Sequence, residues 1–65
     1  MHSLPDAYVF SRGHSHLVLQ MVSQAARSLP QLPPDADGLL SVPIERADEV
    51  FALFDEAGVR FRLYC

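Results

Sequence analysis

This chain of 65 residues contains no lysine, asparagine, threonine or tryptophan, and its single cysteine is Cys65. One cysteine excludes an internal disulfide and a zinc site of the multi-cysteine type, and it suits a reducing compartment. No apolar stretch approaches the roughly 20 residues that span a bilayer. No basic segment followed by an apolar run opens the chain, so a secretory signal is not expected. Together these absences point to a cytoplasmic protein. All five basic residues are arginine, and isoleucine occurs once. GC-rich codons produce that bias, so a GC-rich bacterium or one of its phages is the expected origin.

What is present describes a small folded unit. The chain is 49% apolar and 20% charged, unlike a disordered tail. Residues 1–65 are read as one domain. A domain of this size buries only about 60% of the surface its unfolded chain exposes. Ordering it costs on the order of 100 kcal/mol, so nearly every apolar residue is committed to packing. Little is left to line a deep pocket, and an elaborate enzyme is disfavoured. A homodimer is one way for such a chain to bury more.

"AYVFS" (7–11), rich in aromatic and β-branched residues between Pro5 and Gly13, reads as a first strand. From His14 the spacing changes. Leu17, Val18, Met21, Val22, Ala25 and Leu29 recur at helical intervals, with His16, Gln20, Ser23, Gln24 and Arg27 opposite, which predicts an amphipathic helix of about 14 residues ended by Pro30. Residues 30–38 form a proline-rich loop. "LLSV" (39–42) is a short strand stopped by Pro43. A second helix follows from Glu45 or Arg46, its buried stripe Ala47, Val50, Phe51, Phe54 and Ala57, with Gly58 just past its end. In "VRFRLYC" (59–65), Val59, Phe61, Leu63 and Cys65 alternate with Arg60, Arg62 and Tyr64, as in a strand with its first set in the core. The order β-α-β-α-β predicts an α/β, two-layer sandwich: a three-stranded sheet with both helices on one face. A variant in which the first strand belongs to an antiparallel hairpin is the alternative.

The stretch "RGHSHL" (12–17) looks most like chemistry. In a helix His14 and His16 lie roughly 200° apart and cannot converge on one ion. No other histidine, cysteine or carboxylate stands at a ligand spacing, so no metal is expected; His2 sits near the terminus. A strand-to-helix turn would suit an anion better. Gly13 allows close approach of the backbone, Arg12 offers a fork for phosphate or carboxylate, and His14 and His16 flank the first turn. The plain alternative is a helix capped by Ser11 or Ser15. No serine or cysteine is paired with an oriented base, so no catalytic residues and no cofactor are expected.

Charge is segregated. Residues 35–56 hold seven carboxylates against Arg46 alone. On the second helix Glu45, Asp48, Glu49, Asp55 and Glu56 span roughly a third of the circumference, opposite the apolar stripe. Such a face either keeps a small protein in solution or meets a partner with a basic surface. Its sign, and that of the whole chain at −3, speaks against direct nucleic-acid binding. The final strand presents Arg60, Arg62 and Tyr64 on its outward side. Depending on register, the first strand adds Tyr8 and Phe10 or Ala7 and Val9. Arginine with tyrosine and phenylalanine is the composition of interface hot spots. The sequence therefore points to a small non-catalytic protein–protein interaction module, such as a phage-encoded or mobile-element inhibitor of a host system. It would act through the acidic helix or the Arg/Tyr sheet face. An anion- or nucleotide-binding module centred on Arg12, Gly13, His14 and His16 is the alternative.

Overall fold

A computed structural model describes residues 4–64. Its elements run β1 (Ala7–Arg12), β2 (His16–Met21), α1 (Gln24–Arg27), β3 (Leu39–Pro43), a 3₁₀ turn (Ile44–Arg46), α2 (Ala47–Ala57) and β4 (Phe61–Tyr64). The sheet has four strands in the order β3-β2-β1-β4. β1 pairs antiparallel with β2 and parallel with β4, and β2 pairs antiparallel with β3. The expected α/β class holds, with a mixed sheet and two helices. The three-stranded β-α-β-α-β order does not.

The correction lies in residues 14–29. Where the apolar spacing predicts one helix, the chain makes a second strand and a helix of only four residues. Leu17, Leu19 and Met21 are buried, while Val18 and Gln20 between them are only half-buried. That period of two coexists in this segment with the helical spacing, and a short apolar run does not distinguish them. Tertiary context does. As a strand, β2 pairs on both sides, with β1 from Ala7↔Met21 to Arg12↔His16 and with β3 from His16↔Pro43 to Gln20↔Leu39. A helix there would leave β1 and β3 without that neighbour. α1 begins only at Gln24, capped by Ser23, whose hydroxyl accepts the Ala26 amide at 3.1 Å, so neither Ser11 nor Ser15 is a helix cap.

The second half follows the expectation closely. Pro43 closes β3, which lies on a sheet edge where a missing N–H is tolerated. α2 ends at Gly58, whose φ of 69° is left-handed and whose amide bonds back to Phe54 and Asp55. Val50 and Phe54 are buried and Ala47 and Phe51 are partly buried, but Ala57, assigned to the same stripe, is exposed. Val59 is buried and Phe61 half-buried against Phe51 and Phe54, their ring centroids 5.2 and 5.3 Å from it. Leu63, expected in the core, is 58% exposed because the packing of α2 on this strand reaches Phe61 and not beyond. Cys65, assigned to the same set, lies outside the described residues, as does His2.

Both helices contribute to one core. Ala26 of α1 and Val50 and Phe54 of α2 join Ala7, Val9, Leu17, Leu19, Met21 and Val42 from one face of the sheet, with Leu32 of the loop and Val59. Each fully buried large side chain of this kind contributes about 1.5–3 kcal/mol. Among the described residues no helix joins the core from the other face of the sheet.

Candidate functional site

Alternation along the strands sets the open face. With Ala7 and Val9 in the core, Tyr8 and Phe10 point outward, and this is the aromatic one of the two possible registers. The pairings then arrange the face in rows. Arg62, Tyr8, Gln20 and Leu39 lie side by side across β4, β1, β2 and β3, and Tyr64, Phe10, Val18 and Ser41 form the next row. Arg12, His16 and Pro43 complete it.

The rings of this face touch. The Phe10 and Tyr64 centroids are 5.4 Å apart with planes 18° from parallel, Tyr8 and Tyr64 are 5.7 Å apart, and Tyr8 and Phe10 are 6.4 Å apart. Phe10 and Tyr64 remain exposed at 37% and 43%. Three neighbouring rings thus form one patch, bordered by Arg62 in one row and Arg12 in another. None of the four strands contains an aspartate or glutamate. Arg60, one residue before β4, donates its amide to the Asp6 carboxylate at 2.9 Å.

The acidic residues expected on the second helix belong to the other layer. Glu45 lies in the 3₁₀ turn and Asp48, Glu49, Asp55 and Glu56 on α2, all exposed. Arg46 pairs with Glu49 at 3.0 Å, which holds the Glu49 carboxyl below its ordinary range and raises Arg46. So exposed a pair adds little stability. The two sets proposed from sequence, carboxylates on the helix and Arg62 with Tyr64 on the sheet, are therefore on opposite sides of the molecule.

Neither a protein-family model, nor a curated protein, nor a solved structure matches this chain.

Residues 12–16 are not a strand-to-helix turn. They form the tip of the β1–β2 hairpin, closed by the Arg12↔His16 pair, with Gly13 at a φ of 62°. The Ser11 hydroxyl donates to the Gly13 carbonyl at 3.1 Å, and the Ser15 hydroxyl lies 2.9 Å from His16 Nδ1. The unpaired amides of a helix N-terminus, on which the anion reading of Arg12, Gly13, His14 and His16 rested, do not occur here. Among the described residues no three histidine, cysteine, aspartate or glutamate side chains group as metal ligands. Nor is any helix among them long and apolar enough to cross a membrane.

Sequence reasoning missed Val18, Gln20, Leu39 and Ser41 as members of the open face. The signal was available in β2, whose Leu17, Leu19 and Met21 alternate. Helical spacing in the same residues masked it.

Proposed function

We propose that this chain is a small, non-catalytic binding module that works through its open sheet face. The observation that carries this reading is the contiguous Tyr8–Phe10–Tyr64 patch, with Phe10 and Tyr64 exposed, Arg62 in register with Tyr8 and Arg12 two residues beyond Phe10. A domain short of core material leaves two such rings open at a cost unless a partner covers them. Aromatic residues and arginine are also the types that anchor interfaces. The acidic side of α2 is the rival surface. It supplies charge without a comparable apolar centre, which suits steering an encounter more than holding a complex.

Capture from a lysate of the cells that encode the protein separates the two surfaces. Tagged wild type, a Phe10→Ser/Tyr64→Ser variant and a Glu49→Lys/Asp55→Lys/Glu56→Lys variant are compared, with bound protein and nucleic acid both identified. The face reading expects a specific partner retained by the helix variant and lost by the face variant. Loss in the helix variant alone, or equal capture by all three forms, overturns it.

A further inference from the structure

We infer that the occupant of the open face is single-stranded nucleic acid, its bases stacking on Tyr8, Phe10 and Tyr64 and its phosphates meeting Arg12 and Arg62. This rests on the reading of that face as the working surface. An aromatic ring can stack with any base, and base–aromatic stacking is the main sequence-tolerant term in single-strand binding. The rings follow one another along and across two neighbouring strands at 5.4–6.4 Å, so they offer successive bases one continuous patch. Arg62 is paired in register with Tyr8, and Arg12 lies two residues beyond Phe10 on β1. A phosphate chain crossing the rings thus has a guanidinium towards either end. Gln20, Ser41 and His16 supply polar groups on the same face for base edges.

The net charge of −3 argues against nucleic acid only if it is spread evenly. It is not. No strand carries a carboxylate, and five of the eight lie on the 3₁₀ turn and α2, in the opposite layer of a molecule whose smallest extent is 23 Å; Asp6 stands just before β1, and Asp35 and Asp37 in the loop before β3. At physiological salt, exposed charges are largely screened beyond about 8–10 Å. Within the four strands a nucleic-acid strand laid on the sheet meets Arg12 and Arg62 and no carboxylate, and Asp6, at the Tyr8 end, already accepts the Arg60 amide. A second copy of this chain fits the face less well, because face-to-face pairing sets arginine against arginine. A duplex fits less well too, since its bases are already stacked on each other.

Fluorescence anisotropy of a 12-nucleotide oligothymidylate and an oligouridylate of equal length tests this, with the matching duplex and a poly-glutamate peptide as competitors. Binding of the single strands is expected, with weak competition from duplex and peptide. Its salt dependence should have a slope of about −1.4 in log–log form for two phosphate contacts. Tyr64→Ser and Phe10→Ser should each weaken binding by roughly 5- to 150-fold. Arg12→Gln and Arg62→Gln should each flatten the slope by about 0.7. Thermal melts confirm that each variant is folded, and Tyr64→Phe, which keeps the ring, should restore most of the affinity. No binding by folded wild type, equal competition by poly-glutamate, or affinity indifferent to Tyr64→Ser overturns the nucleic-acid inference. Each leaves the face reading to the lysate comparison, where a protein lost only by the face variant would uphold it with a different occupant.

Discussion

Asp6 and Arg60 stand 54 residues apart in sequence and hold each other from both directions. The Asp6 carboxylate accepts the Arg60 amide at 2.9 Å, and the Asp6 amide donates to the Arg60 carbonyl at 2.7 Å. The same Asp6 carbonyl accepts the amides of Val22 and Ser23, so one residue ties the starts of β1 and β4 to the end of β2.

This junction makes stability depend on pH. The Arg60 amide, and then the Ser23 hydroxyl, hold the Asp6 carboxyl below its ordinary value of 3.8. A depressed folded-state value means that the unfolded chain binds the proton more readily. The contribution is therefore complete above the unfolded value and is lost as pH falls through the folded one. Melting temperature measured from pH 7 to pH 2 should fall in the acid range, and Asp6→Asn should lower it at pH 7 and flatten the part of the decline below pH 4. An unchanged profile in Asp6→Asn would exclude this role.

Gly38 should resist substitution. Its φ is 82°, and a Cβ there would lie 2.5 Å from the Met21 carbonyl oxygen, beside the Arg27 guanidinium that bonds to that oxygen. Backbone strain alone costs about 1–2 kcal/mol, and the collision adds to it. Gly58→Ala carries the strain without the collision, since nothing lies within 4 Å. Urea unfolding should rank Gly38→Ala as clearly the more damaging of the two.

The strand assignment of residues 16–21 can be checked by neighbours. Leu19 is fully buried and Val18 lies on the open face. Leu19→Ala should cost about 2–5 kcal/mol in unfolding free energy, and Val18→Thr about 1 kcal/mol or less. A helix with Leu17, Val18 and Met21 inward would reverse that order.

A similar contrast marks where the core stops. Phe54→Ala, at a fully buried position, should cost about 3–5 kcal/mol. That is a large part of the stability of any domain this small, and thermal unfolding should lose its cooperativity. Leu63→Ser should shift stability by about 0.5 kcal/mol or less, despite its place in an alternating apolar series.

These pairs also show how far the sequence could be read. The second half was legible because its signals act locally: Pro43 stops a strand, Gly58 closes a helix, and Val50 and Phe54 recur at one helical interval. The first half was not, because residues 17–22 satisfy two periods at once. The choice between them is made by β1 and β3, which lie outside that window. The site inherited the same ambiguity. Arg62 and Tyr64 were found from β4 alone, Tyr8 and Phe10 were conditional on register, and Val18 and Gln20 were invisible while their segment was read as a helix. Asp48, Glu49, Asp55 and Glu56 are exposed on α2 as expected, since exposure of a charged helix face needs no tertiary information, while Glu45 falls in the 3₁₀ turn before it.

The parallel pairing of β1 with β4 has a consequence in time. The β1–β2 hairpin closes through a turn of three residues, a local event on the microsecond scale. The Asp6–Arg60 junction closes a loop of nearly the whole chain and gains its contacts only after that entropy has been lost. Hairpin first and β4 last is the order this implies. Substitutions in β4 should therefore quicken unfolding and leave the refolding rate nearly unchanged, whereas those at the hairpin should slow refolding. The strand that brings Arg62 and Tyr64 to the face is, on this account, also the first to leave it.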